Sequence, residues 1–187
     1  DYWYIERENY DNIHPRLITL KHHGLVPQVA TLDGHRRVTE AMRNAWPEIL
    51  IQRCLFHIEN QGLRWLRTYP KSEAGQTLKT ILKTVTAIQS QTDQKDFLMT
   101  YANWLQKYSL FIRQLPRTSI VNKDLKRTVS SLSKALPDMF HFIKDPKIAK
   151  TTNLLEGFYS QLKHQYQRHR GLSRTHKIAF LYWYCYF

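Results

Sequence analysis

Two carboxylates far apart in the chain, Asp33 in Thr31-Leu-Asp-Gly-His35 and Glu156 in Thr151-Thr-Asn-Leu-Leu-Glu-Gly-Phe158, are joined by a Cys54-Leu-Phe-His57 step. Carboxylates held on separate elements can supply the oxygen ligands that hard divalent cations such as Mg2+ require. The expected chemistry is Mg2+-dependent cutting of phosphodiesters, with the Cys-x-x-His step beside it. Taken singly, Asp33 is also an ordinary strand-terminating residue and Glu156 an ordinary solvated helical one. Only the combination makes a site.

Each residue needs an element to hold it. Asp33 closes an apolar run, Gln28-Val-Ala-Thr-Leu32, bounded by Pro27 and Gly34. This predicts a buried strand with Asp33 at its C-terminal end, where α/β sheets present ligands. Around Glu156, Leu155, Phe158, Leu162 and Tyr166 recur at helical spacing, so Glu156 belongs to an amphipathic helix with Ser160 and Lys163 on the polar side. Upstream, Asp1-Tyr-Trp-Tyr-Ile5 reads as a strand. Tyr10, Ile13, Leu17 and Leu20 read as a helix face ending before Gly24, with Pro15 tolerated only near the helix start. His22 and His23 suit that helix end as solvated residues. Val38, Ala41, Met42 and Ala45 mark a second helix stopping at Trp46-Pro47, and Ile49-Leu-Ile-Gln-Arg-Cys54 is a further strand. Strand, helix, strand, helix, strand implies an α/β unit with adjacent parallel strands.

After His57 the pattern turns helical. Leu78, Ile81, Leu82, Val85 and Ile88 form one stripe; Phe97, Tyr101, Trp104, Leu105 and Tyr108 a second; Leu125, Val129 and Leu132 a third. Pro70, Pro116 and Pro137 punctuate them. The expected organisation is an α/β part over residues 1–57, a helical insertion over 58–150, and C-terminal helices over 151–187. Trp65, Trp104 and Tyr108 are expected in the core.

The partner is narrowed by charge. With 28 Lys+Arg against 15 Asp+Glu, a formal net charge of +13 favours nucleic acid or another acidic surface. From Gly157 onward there is no Asp or Glu, while Lys163, Arg168, Arg170, Arg174 and Lys177 are joined by three histidines. Such a block would bind phosphates in a salt-sensitive way, unless it is only a solvated face. The longest apolar tract, Ile178 to Phe187, is half of what a spanning helix needs, and no signal peptide is evident. Two unframed cysteines, Cys54 and Cys185, point to a reduced intracellular setting.

In their order and spacing these stretches resemble the Mutator-like transposases, in particular those of bacterial insertion sequences. The resemblance is carried by Thr31-Leu-Asp-Gly-His-Arg-Arg-Val-Thr-Glu-Ala-Met42, Trp46-Pro47, Ile51-Gln-Arg-Cys-Leu-Phe-His57, Thr151 through Lys163, and Arg168-His-Arg-Gly-Leu172; the middle matches only in helical character. It implies a partial RNase H-like core with a helical insertion and a DDE triad of two Asp and one Glu binding Mg2+ (or Mn2+). Strand cleavage and transfer would take place at element ends, on DNA, in a bacterial cytoplasm at the nucleoid, with a homo-oligomer assembled on DNA. Carried over by residue, Asp33 is the second acidic ligand and Glu156 the third. The first would lie upstream on the first strand, Asp1 is a poor substitute, and the chain as given is expected to be inactive.

The same resemblance places Cys54 and His57 at the family's Cys-x-x-His position, with His57 contacting DNA or supporting the carboxylates and Cys54 packing as a small apolar residue. A zinc site would need two more soft ligands at sensible spacing, which Cys185 and the scattered histidines do not offer. Asn153, Lys163, Arg168 and Arg170 are in register for phosphate contact. Tyr159 stands where the family commonly has Asn, and could stack on a base or reach a phosphate. The closing aromatics, Tyr182, Trp183, Tyr184 and Phe187, suit either a core-facing helix or stacking on nucleic acid. A non-catalytic DNA-binding remnant, or a domesticated transposase, is the alternative from a different class.

Overall fold

A computed structural model describes residues 7–169 and 171–186. Helices dominate: α1 (Tyr10–His22), α2 (Arg36–Ala45), α3 (Leu55–Leu66), α4 (Glu73–Leu82), α5 (Gln91–Gln114), α6 (Ile120–Ala135), α7 (His141–Lys144), α8 (Asn153–Arg168) and α9 (Arg174–Tyr186). Two short strands, β1 (Val29–Leu32) and β2 (Leu50–Arg53), pair in parallel, with Leu32 opposite Arg53. Both strands expected here are thus present and parallel, each slightly shorter than the run that predicted it. The predicted Asp1–Ile5 strand lies outside the described residues.

The chain divides into two units. The larger, Pro27–His35 with Ile49–Thr151, holds the sheet and α3 to α7. Its core follows the three stripes: Leu78, Ile81, Leu82, Val85 and Ile88 are buried, as are Phe97, Tyr101, Trp104 and Tyr108, and Leu125 and Leu132. On α5 the aromatics form a ladder, with Tyr101 stacked 6.3 Å from Trp104 and Trp104 5.5 Å from Tyr108 between ring centroids. The Trp104 indole N–H donates to the Ala74 carbonyl at 3.0 Å, so its burial leaves no polar group stranded. Trp65, expected in the core, is only half-buried. The α5 start is closed by a reciprocal cap: Ser90 Oγ accepts from the Asp93 amide at 3.1 Å and Asp93 accepts from the Ser90 amide at 2.9 Å.

Gln52 joins sheet to helices. It is fully buried on β2, and its Nε2 donates to the carbonyls of Met139 and Arg53, each at 2.8 Å, while Oε1 accepts from the Phe142 amide at 3.4 Å. The Thr31 hydroxyl donates to the Ala149 carbonyl at 2.7 Å, and the Leu55 amide to the Lys150 carbonyl at 3.0 Å.

The smaller unit comprises Asp1–Val26, Arg36–Glu48 and Thr152–Phe187. Within it, α1 and α2 are tied by Asn44 Nδ2 donating to the Tyr10 hydroxyl at 2.8 Å and Lys21 Nζ donating to the Ala45 carbonyl at 2.7 Å, where a cation suits the end of a helix. Pro15 stands inside α1 rather than at its start, so the helix continues through one missing amide. The helix then ends at His22 and His23, both exposed, before Gly24 at φ +88°. Helices α8 and α9 meet through aromatics, with Phe158 5.9 Å from Tyr184 and Phe180 5.2 Å from His169. On α8 only Leu162 of the predicted apolar face is buried; Leu155 is 54% and Phe158 39% exposed.

Candidate functional site

Asp33 stands one residue beyond β1 and is exposed. The Cys54 amide donates to the Leu32 carbonyl at 2.8 Å, continuing the ladder by one bond, so Asp33 and Cys54 both emerge at the C-terminal edge of the strand pair. Asp33 Oδ1 accepts from the His35 amide at 2.7 Å, an Asx turn that fixes the carboxylate with its second oxygen directed away from that bond. The turn needs Gly34, which adopts φ +90° and packs so closely under the Arg53 guanidinium that a Cβ would fall inside it.

Arg53, not singled out in the sequence, is the central cation of this edge. Its Nη2 donates to the Asp33 carbonyl at 3.3 Å, while Nε is buried with no acceptor among the described residues. Burial pushes the guanidinium below its ordinary pKa, an effect opposed first by Asp138 and then by Asp33. A basic residue at a strand end has no distinguishing pattern; the Asp-Gly pair opposite it is the only sequence trace of this packing.

One helical turn into α3, His57 Nδ1 lies 3.2 Å from Cys54 Sγ, the two sharing a hydrogen bond whose direction depends on the imidazole tautomer. Cys54 is completely buried and His57 half-buried. Cys54 is the N-cap residue of α3 by backbone position, without a side-chain capping bond, and its thiol bonds the His57 imidazole instead.

In the other unit, Glu156 occupies the first turn of α8, where a negative charge is favoured by the helix dipole. The Thr152 hydroxyl donates to Glu156 Oε1 at 2.7 Å and so holds the carboxylate against the helix start. Asn153, Tyr159, Lys163 and Arg168 are exposed along α8, with Arg168 donating to Gln165 at 3.4 Å. Arg170 lies outside the described residues. Of the closing aromatics on α9, Tyr182 and Trp183 are 41% and 59% exposed, Tyr184 is half-buried against Phe158 and Phe180, and Phe187 lies outside the described residues.

The description "Transposase, Mutator family" matches the chain from residue 2 to residue 174. The chain belongs to the Mutator family of transposases. Membership implies an enzyme of the DNA-cleaving kind, with DNA as its substrate, and agrees with the resemblance drawn from the Asp33, Cys54-His57 and Glu156 stretches. Comparisons with curated proteins and with solved structures gave no match. Among the described residues no helix is long and apolar enough to cross a membrane.

For this transposase, the donor chemistry of Asp33 and Glu156 fits the divalent ion such enzymes typically use. Both are carboxylates, each has one oxygen already oriented by a hydrogen bond, and hard cations prefer oxygen to the sulfur and nitrogen of Cys54 and His57.

Proposed function

We propose that this chain contributes Asp33 and Glu156 as ligands to the Mg2+ (or Mn2+) site of a DDE transposase with an RNase H-like core, which cleaves DNA strands at element ends and joins them to a target. The observation that carries the reading is the exposed, turn-fixed carboxylate of Asp33 at the C-terminal edge of a parallel strand pair, in a chain that the family description spans almost throughout. When bound, the ions would lower the pKa of a coordinated water and neutralise charge on the phosphoryl group. The chain's own residues orient the ligands: the His35 amide and Gly34 turn set Asp33, and the Thr152 hydroxyl sets Glu156. His57, held by Cys54, would contact DNA or buttress the carboxylates. Asn153, Lys163, Arg168 and Arg170 would take phosphates, with Tyr159 stacking or reaching a phosphate, in a homo-oligomer assembled on paired ends.

The test is Mg2+-dependent cleavage of a plasmid carrying the element ends, by the protein as its gene encodes it. Asp33→Asn and Glu156→Gln should each abolish cleavage while duplex binding in EDTA persists; cleavage retained by either variant would refute the assignment. The acid-free run after Glu156 favours a second reading, a non-catalytic DNA-binding protein. On that reading the unaltered protein binds DNA and cleaves none with any divalent ion, and Lys163→Ala with Arg168→Ala removes most of the binding.

A further inference from the structure

Beside the strand edge that carries Asp33, the larger unit is indented by an open cleft of about 460 Å3. One wall is Gly34 and Arg53; the other is the exposed face of α6, where Arg127 and Lys134 lie two helical turns apart with Lys126 alongside, and half-buried Trp65 lies between. Lys126, Arg127 and Lys134 are exposed and form no ion pair among the described residues. The Arg53 guanidinium, with five N–H donors, makes a single hydrogen bond among the described residues, at 3.3 Å. Among the described residues no acid lines the cleft; Asp138 and Asp33 act on Arg53 from beside it, so four cations are set against two carboxylates. Ser130 and Ser131 add hydroxyl donors between the α6 cations.

We infer that this cleft seats the phosphodiester backbone of DNA and leads a strand past Asp33, making the helical insertion a DNA-contacting part of the molecule. An unpaired row of cations at helical spacing is often only a solvated face. Here the row converges with a guanidinium from a different element upon one concave space, and that space opens beside the candidate catalytic carboxylate. Phosphate recognition uses such convergent Arg, Lys and Ser donors. The inference rests on the reading of the chain as a DNA-cleaving enzyme.

The experiment is fluorescence anisotropy of the whole protein with a labelled duplex of about 30 base pairs, in EDTA, over a series of salt concentrations. The variant Lys126→Ala/Arg127→Ala/Lys134→Ala is compared with Lys95→Ala/Arg113→Ala/Lys147→Ala, which removes the same charge elsewhere in the unit, and circular dichroism checks that both are folded. For every phosphate no longer neutralised, the slope of log K against log salt should fall by about 0.9 and binding should weaken roughly tenfold near 50 mM salt. The cleft variant is therefore expected to lower the slope by about 2–3, and the control variant to change it little. Equal reductions in the two variants, or an unchanged cleft variant, would overturn the proposal while leaving the Asp33 and Glu156 assignment standing. Failure of the unaltered protein to bind any duplex would overturn both.

Discussion

Replacing Gln52 by Leu tests whether a single buried amide holds the site-bearing sheet to the helices. Leu nearly preserves volume but removes two hydrogen bonds of 2.8 Å and one of 3.4 Å, leaving the carbonyls of Met139 and Arg53 and the amide of Phe142 without that partner. The long bond counts for little. Breaking each of the two short ones strands a carbonyl at a cost of about 1.5–2.5 kcal/mol, the middle of the range for such groups. The added apolar burial of Leu returns about 1 kcal/mol. The expected destabilisation is about 2–4 kcal/mol. With a urea slope of about 2 kcal/mol/M, the midpoint should fall by about 1–2 M. Equilibrium unfolding followed by far-ultraviolet circular dichroism, with core Trp104 fluorescence as a second probe of the same unit, measures it. A variant within about 0.5 kcal/mol of the parent would refute the reasoning, because it would mean that water or a rearranged backbone satisfies those groups without Gln52.

Two further perturbations follow from the same geometry. The Tyr108 hydroxyl, donating at 2.6 Å, and Lys107 hold the Glu73 carboxyl below its ordinary 4.5, so its stabilising contribution is present above that pH and lost as pH falls through the depressed value. Glu73→Gln should therefore show a shallower decline of stability than the parent in urea titrations below about pH 4.5, and parallel curves would contradict the coupling. Gly34→Ala forces a side chain into φ +90° and into the Arg53 guanidinium; a destabilisation of about 1–3 kcal/mol is expected, with weakened duplex binding in the same anisotropy assay, and an unaffected variant would show that Arg53 is not held as described.

Much of the larger unit was legible from periodicity. An apolar run between Pro27 and Gly34 can satisfy its backbone only by pairing, and the stripes on α4, α5 and α6 each had a buried face, because in this unit the helices pack against one another. The same reasoning overreached on α8. Spacing marked Leu155 and Phe158 as one apolar face but carries no information about what covers it, and both are largely exposed. Trp65 misled for a related reason: a large aromatic in a helical pattern reads as core, whereas here it lines a charged cleft. Asp33, Cys54 and His57 were placed by their elements, yet Arg53 and the α6 cations were not. Their meaning depends on which distant elements the fold brings beside them, and no local pattern encodes that.

The hydroxyl of Thr31 reaches a carbonyl 118 residues further along the chain, and α3 begins on the carbonyl of Lys150. At about 5–20 residues per second, a ribosome would take roughly 6–24 s to deliver Ala149 after Thr31. During that interval the β1 strand exists without its last anchor, held by β2 and its own turn. A nascent chain that has not yet reached Ala149 would carry the acidic residue but lack the carbonyl that anchors its strand, so this sheet edge would be completed only after Ala149 has been made.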